Sequence, residues 1–338
     1  TRRQGLFPES RVKTILQWTK IYRRGPGFHN LGNTCFLNAT LQCLSYLPPL
    51  AQHLLEGLYS QGQQGMASRG PRPRGGQEHA RMEVLAAMEI LTKQVHQQSR
   101  GVNVPAISPR VFVRNLKMIG KQFHQGRQED AHEFLRHLLD KMVDCCLKRR
   151  GVKSSAPNRL AETTAINRIF GGYLRSQLKC LSCGHCSNTF DPFLDLSMEL
   201  SRKVGSLDSA LAHFTEMETL DAGNKWRCAK CAKLVRAEKQ LTVFKPPNAL
   251  VVHLKRFVFS ASRARAMKIT NPVRFSNELR LKVSGPEKAA QYDLTGVVVH
   301  SGGTMSCGHY YSYVRTSSNT WARMDDTSVS SVGFFLHV

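Results

Sequence analysis

The sequence predicts an α+β protein, and three observations carry that prediction. Apolar residues recur at helical spacing through much of the first half. After residue 240 the pattern changes to runs rich in Val and Leu with period-two stretches. Between them lie two CxxC pairs, the mark of a segment tied together by metal. The 338 residues allow one large or two ordinary domains. A hydrophobic fraction of 41% suits a globular chain.

Residues 1–24 form a basic leader, with Arg2, Arg3, Arg11, Lys13, Lys20, Arg23 and Arg24 against Glu9 alone. Ile15, Trp18 and Ile21 suggest a short amphipathic helix there. Residues 27–44 follow, GFHNLGNTCFLNATLQCL. Turn-formers Gly27, Asn30, Gly32, Asn33 and Thr34 precede Cys35, and Leu37, Leu41 and Leu44 follow it at helical spacing. The pattern predicts a loop that becomes a helix at Cys35, with Asn33 or Thr34 as its N-cap. At that position the helix dipole and free N–H groups favour a thiolate, so a lowered pKa and a nucleophilic role are expected. Cys43, deeper in the same helix, reads as an inert buried thiol.

Pro48 and Pro49 then punctuate the chain. Residues 57–76, rich in Gly, Gln, Ser, Pro and Arg, read as a flexible insertion. The pattern over 82–95 is helical, and Ser108 with Pro109 opens a helix over 110–123. Residues 126–146, GRQEDAHEFLRHLLDKMVDCC, give another helix with Glu129 and Asp130 in its first turn. Its apolar face is Ala131, Phe134, Leu135, Leu138 and Met142. His132 and Glu133 complete no paired metal motif.

Lys179–Cys183 reads KCLSC and Arg227–Cys231 reads RCAKC. Each CxxC presents two thiolates from one tight turn, and two such knuckles complete a tetrahedral site. The long segment 184–227 between them excludes a compact finger and suits knuckles at the tips of two β-hairpins. Cys180, Cys183, Cys228 and Cys231 are therefore expected to hold one structural Zn2+, with no position open to water. His185 and Cys186 are neighbouring competitors outside the repeated spacing.

Strands are expected over 249–259, 292–300, 306–314 and 321–326. The last two make a hairpin with His309 early in one strand and Asp325 and Asp326 late in the other. Antiparallel pairing brings those ends together. A histidine with a carboxylate from the partner strand is what a Cys–His pair with an orienting third group requires.

The net charge of +24, from 48 basic and 24 acidic residues, predicts attraction to polyanions such as nucleic acid, against the plainer reading of a solvated basic surface. No organised nucleic-acid motif accompanies it. The ten cysteines, partly in CxxC pairs, point to an intracellular zinc site before a disulfide framework. No run approaches the ~18 apolar residues of a membrane span. No apolar leader opens the chain, which starts at Thr1 as a fragment would. An intracellular protein without a membrane partner is expected.

Taken together, GFHNLGNTCFLN, GRQEDAHEFL, the two CxxC pairs, LVVHLKRF and VVVHSG…CGHYYSYV…WARMDD resemble, in that order, the catalytic domain of the ubiquitin-specific proteases, papain-like cysteine deubiquitinases. The resemblance covers roughly residues 25–332, and FGGYLRS at 170–176 is similar to nuclear and nucleolar members. It implies a hand: a helical thumb over about 25–165, zinc-ribbon fingers over about 166–248 and a β-rich palm over about 249–338. It also implies hydrolysis of the isopeptide bond after ubiquitin's C-terminal glycine, with ubiquitin and ubiquitinated proteins as partners. A monomer of nuclear or nucleolar residence is expected, with the cytoplasm as the alternative. Cys35 would be the nucleophile, His309 the base, Asp325 the third residue, Asn30 the oxyanion donor and Asp326 an acidic neighbour sharing the third role in some members. Asp130 and Glu133 would meet the basic ubiquitin tail, and Gly308 would leave room for its diglycine. One departure stands out. The family's closing Ala-Tyr-x-Leu-Phe-Tyr strand is replaced at 330–338 by SSVGFFLHV, so that strand is expected to be altered or absent and to leave an unpaired edge beside the hairpin.

Overall fold

Helices dominate the first half of the computed structural model, which describes residues 5–60, 83–97, 105–152, 159–200, 204–260, 265–304 and 307–333. Most of the insertion expected at 57–76, and Met82, lie outside those residues. Contacts divide the chain into two units, Thr1–Arg168 with Thr295–Val338, and Ile169–Leu294.

In the first unit, α1 (Glu9–Thr14) precedes a non-helical stretch. The helix expected through Ile15, Trp18 and Ile21 does not form. Ile15 is buried while Ile21 is 79% exposed, so no common face joins them. Gln52 instead ties down a stretch of turns and bends, donating to the Ile15 and Gln17 carbonyls and accepting from the Thr19 N–H.

The unit is built around α2 (Cys35–Ser45), buried at every position but Cys43. The leucine stripe is only part of that burial. Polar positions are covered too: Thr40 donates to the Phe36 carbonyl, Gln42 to the Pro26 carbonyl and Asn38 to Asp326. Around it pack α3 (Pro48–Leu55), α4 (Val84–His96) and the later helix α7 (Ala131–Lys148). Phe36 meets Phe134 of α7 edge-on at 5.6 Å. Burying each of these rings contributes about 1.5–3 kcal/mol.

The helix expected over 110–123 is broken into α5 (Arg110–Arg114) and α6 (Leu116–Ile119). Asn115 causes the break. Its side chain donates to the Val111 carbonyl and its backbone leaves the helical region at φ −111°, ψ 18°. Pro109 stands at the N-cap and not at the first helical position. In α7 the buried face is Ala131, Phe134, Leu138, Leu139, Met142 and Leu147, with Leu135 only half-buried. After α8 (Ala165–Phe170) the chain enters the second unit, and it returns to the first at residue 295.

The returning segment forms an antiparallel sheet, β13 (Gly296–Ser301), β14 (His309–Arg315), β15 (Trp321–Asp325) and β16 (Ser328–Val332), in that order. The edge expected to be bare is therefore paired. β16 runs along β15 from Trp321↔Val332 to Asp325↔Ser328. The turn between them is permitted because Asp326 adopts φ +48°, a left-handed conformation that Asp tolerates better than most residues. Residues 334–338 of the altered segment lie outside the described residues.

The second unit is mostly strand. β1 (Gly172–Cys180), β2 (Cys186–Phe193), β4 (Met217–Leu220) and β7 (Ala237–Lys245) form an antiparallel sheet in the order β2-β1-β7-β4. β5 (Trp226–Cys228) and β6 (Lys233–Val235) form a small hairpin. β3 (Leu196–Glu199) pairs parallel with β8 (Val252–Lys255) over a core that includes Met198, Val243 and Leu281. The strand expected over 249–259 is interrupted between β8 and β9 (Phe257–Ser260) at Arg256, whose guanidinium donates to the Ile269 and Asn271 carbonyls.

Candidate active site

β14 begins at His309, and β15 ends at Asp325. Their antiparallel pairing sets His309 Nε2 2.6 Å from Asp325 Oδ1. Asp325 Oδ2 accepts from Arg323 Nη2 at 2.6 Å, and the Arg323 guanidinium lies 4.3 Å over the Tyr311 ring. With Nε2 committed to Asp325, Nδ1 is the ring nitrogen left for a substrate or nucleophile.

The buried helix α2 packs on β14 and starts at Cys35. The main-chain N–H of Tyr310, the residue after His309, acts on the Cys35 sulfur and favours its charged form, as do the N–H groups of Cys35 and Phe36. Thr34 occupies the N-cap but makes no side-chain cap bond, so the first-turn N–H groups remain directed at the thiol. Cys35, His309 and Asp325 thus converge from three elements.

The expected low pKa of Cys35 is not what this environment produces. Burial is the largest influence and pushes the thiol up from its ordinary value, and the nearby Asp326 carboxylate pushes the same way. The Tyr310, Phe36 and Cys35 N–H groups oppose both without overcoming them. A helix dipole lowers the pKa of a thiol at an exposed helix end, but Cys35 is only 2% exposed. Cys43 matches its inert reading: burial raises its thiol to about 12.

Asn30 and Asp326 are joined. Asn30 Nδ2 donates to Asp326 Oδ2 at 2.9 Å, and Asn38 Nδ2 donates to Asp326 Oδ1 at 2.8 Å. Asn30 Oδ1 accepts from the Gly32 and Thr34 N–H groups. One Nδ2 hydrogen of Asn30 is therefore held by Asp326. Gly27 explains how this turn approaches so closely: a Cβ there would lie 2.2 Å from the Asp326 carbonyl oxygen. The Phe28 N–H donates to that same oxygen at 2.7 Å.

Asp130 is the N-cap of α7 and accepts from the His132 and Glu133 N–H groups at 2.7 and 3.1 Å. Its charge also reaches the Tyr310 hydroxyl, which burial pushes up to about 12 against the opposing influence of the Ala131 N–H. Glu133, exposed, accepts from Gln122 at 2.9 Å. Glu129 precedes the helix and accepts from the His124 N–H. At Gly308 a Cβ would lie 2.2 Å from His300 Nε2 and 2.7 Å from the Ser301 carbonyl oxygen. Glycine is thus required there by its own sheet, independently of any substrate.

In the second unit Cys180 ends β1, Cys228 ends β5, and Cys183 and Cys231 lie in the turns that follow. Their four sulfurs lie within 4.8 Å of one another, with Cys180–Cys231 and Cys183–Cys228 both at 3.8 Å. A tetrahedral zinc at the usual 2.3 Å bond length has sulfur–sulfur edges of about 3.8 Å, so this donor set fits that ion. Cys186 is exposed and its sulfur turns to the Gly184 carbonyl, while His185 stacks on Trp226. Neither competitor joins the cluster.

The family model for ubiquitin carboxyl-terminal hydrolases matches residues 26–334. The chain belongs to the ubiquitin carboxyl-terminal hydrolase family.

Among curated relatives, probable ubiquitin carboxyl-terminal hydrolase 16 of Schizosaccharomyces pombe is 38% identical over 96% of this chain, and ubiquitin carboxyl-terminal hydrolase 23 of Arabidopsis thaliana is 42% identical over 91%. The chain spans 66% and 33% of those two proteins. Among solved structures, the SAGA DUB module bound to monoubiquitin matches with a TM-score of 0.73 and 26% identity over 96% of this chain and 69% of that one. The same module bound to ubiquitin aldehyde matches with a TM-score of 0.72 at 25% identity, over 95% of this chain and 69% of that one. Family membership and the α+β class with its ribbon of clustered cysteines are thus as the sequence predicts. Among the described residues, no helix is long and apolar enough to cross a membrane.

Three polar residues around the candidate site carry no signal in the sequence: Asn38, which holds Asp326; Arg323, which holds Asp325; and Gln128, bonded to Gly308. The pattern held little to reveal them. Asn38 sits inside an apolar helix, Arg323 alternates into a strand, and Gln128 lies in a loop.

Proposed function

We propose that the protein is a deubiquitinase that cleaves the isopeptide bond after ubiquitin's C-terminal glycine. The observation that carries this reading is the His309–Asp325 contact at 2.6 Å on a strand against which the helix that begins at Cys35 packs. His309 Nδ1 takes the thiol proton as the sulfur attacks the glycine carbonyl carbon. The proton then passes to the leaving lysine amine as the carbon–nitrogen bond breaks. A thioester remains. Water attacks it, His309 takes the water proton, and the sulfur leaves and regains a proton from the imidazolium. Asp325 keeps Nε2 protonated and balances the imidazolium charge. Because burial holds Cys35 protonated at rest, its deprotonation is tied to His309 and not to a standing thiolate.

Charge developing on the carbonyl oxygen would meet the Cys35 N–H and the second Nδ2 hydrogen of Asn30, whose amide Asp326 orients. Loss of one such donor costs about 100-fold or more in other enzymes. Asp130 and Glu133 would read the arginines of the ubiquitin tail, and Gly308 would border its diglycine. Ubiquitin-bound neighbours support ubiquitin as the partner. Cys180, Cys183, Cys228 and Cys231 would hold one zinc ion, which cross-links two hairpin turns and takes no part in the chemistry. A monomer of intracellular residence, nuclear or nucleolar with the cytoplasm as the alternative, and a basic surface that attracts polyanions complete the reading.

Turnover of a ubiquitin C-terminal fluorogenic amide tests it. The wild-type protein should release the fluorophore and Cys35→Ala should not. Equal turnover by both would overturn the assignment.

A further inference from the structure

We infer that Gln128 is a positioning residue that fixes the main chain of His309. Its side-chain amide makes both bonds that a neighbouring strand would make to Gly308. Nε2 donates to the Gly308 carbonyl at 2.5 Å, and Oε1 accepts from the Gly308 N–H at 2.9 Å. Gly308 immediately precedes His309, the first residue of β14.

That end of β14 has little other support. Its pairing with β13 stops at Ser301↔His309, and its pairing with β15 begins only at Ser312↔Met324. Residues 309–311 therefore have a ladder partner on one side alone, and Gly308 lies beyond both ladders. The half-buried Gln128 replaces the missing strand just where the histidine must be placed. A glycine needs such a clamp more than other residues, because it has the most backbone freedom to lose. Gly308 cannot be exchanged for a stiffer residue, since His300 and Ser301 occupy the space of a Cβ. A misplacement of about 1 Å in a reacting group can cost about 100-fold in rate.

The competing role is substrate contact, because Gln128 borders a concavity with Asn33, Arg127, Cys307 and Gly308. Against it, one Nε2 hydrogen and Oε1 of the amide are already engaged by Gly308. The inference rests on His309 being the general base, and it can fail while that assignment stands.

The test uses the full chain, with steady-state kinetics on a ubiquitin C-terminal fluorogenic amide and the rate of Cys35 alkylation by iodoacetamide, a reagent with no tail to bind. Gln128→Leu removes both bonds at similar size. Gln128→Glu keeps the acceptor for the Gly308 N–H and loses the donor to its carbonyl. Gln128→Leu should lower kcat about 100-fold with KM within about twofold, and should slow alkylation at neutral pH. Gln128→Glu should fall between it and wild type, and it carries the test alone should the leucine variant not fold. A raised KM with unchanged kcat and unchanged alkylation would overturn positioning and make Gln128 a tail contact, and wild-type kinetics would overturn it outright. Wild-type turnover by His309→Ala would instead remove the general-base assignment, and this inference would fall with it.

Discussion

Asp325→Asn tests the role proposed for Asp325 in a way this site makes unusually informative. Both carboxylate oxygens are committed at 2.6 Å to donors, Oδ1 to His309 Nε2 and Oδ2 to Arg323 Nη2. An amide can satisfy only one of them. With its oxygen toward His309, its NH2 group faces the Arg323 guanidinium. With its oxygen toward Arg323, its NH2 group faces Nε2 and forces the proton onto Nδ1, the atom that must accept from Cys35. Either arrangement also removes the charge that balances the imidazolium. A hydrogen bond to a charged group contributes about 1.5–3 kcal/mol, and the misplaced donor adds to that loss. A total of about 3–5 kcal/mol corresponds to a fall in kcat/KM of about 10²–10⁴-fold, in line with about 10⁴-fold for a triad aspartate of a serine protease. Turnover of the ubiquitin amide measures it. Arg323→Leu added to Asp325→Asn should recover about tenfold, because the amide can then turn its oxygen to His309 without opposing a guanidinium. Asp325→Asn within about threefold of wild type, with Asp326→Asn inactive, would refute this reasoning and transfer the role to Asp326.

Other outcomes follow from the same contacts. Cys35 alkylation in the free protein should rise as pH climbs past the ordinary thiol value, and in Asp326→Asn the profile should move to lower pH, because a charge that raises the thiol's pKa is gone. The sign for stability is set by that raised pKa: the contribution of the neutral thiol is complete below the unfolded value and is lost as pH rises through the folded one, which alkaline melting of wild type against Cys35→Ala should show. Metal analysis should find one zinc per chain, and chelation should speed hydrogen exchange over residues 226–235 before that of α2; no metal with four freely reactive thiols would contradict the centre. Asp130→Asn should melt like wild type, because Asn caps about as well as Asp, yet bind the ubiquitin tail more weakly, read as a higher KM; unchanged kinetics would leave Asp130 a cap alone.

The residues that meet in this site were legible where the sequence carries a local signal. Turn-formers before Cys35, the glycine and aromatic run around His309, and the acidic end of 321–326 each announce a loop-to-helix or strand-to-strand junction. The repeated CxxC spacing located the sulfur cluster. What was not legible depends on what covers each element. The leucine stripe of α2 says that one face is buried, but not that Asn38, Thr40 and Gln42 are buried too. For that reason the direction of the Cys35 pKa was misjudged. Asn115 looked like an ordinary helical position until its side chain took the Val111 carbonyl. The pairing of β16 depends on Asp326 entering a left-handed turn that hydropathy does not register. Side chains that act on distant backbone, such as Gln128 on Gly308, have no periodicity to betray them.

Covalent labelling by a ubiquitin bearing a C-terminal vinyl electrophile tests the central claim most directly, because it needs the ubiquitin surface, the cleft and the nucleophile together. The full chain should gain the mass of one ubiquitin, carried on Cys35 by peptide mapping and lost in Cys35→Ala. Ubiquitin binding without any adduct, or an adduct mapped to Cys307, would contradict it.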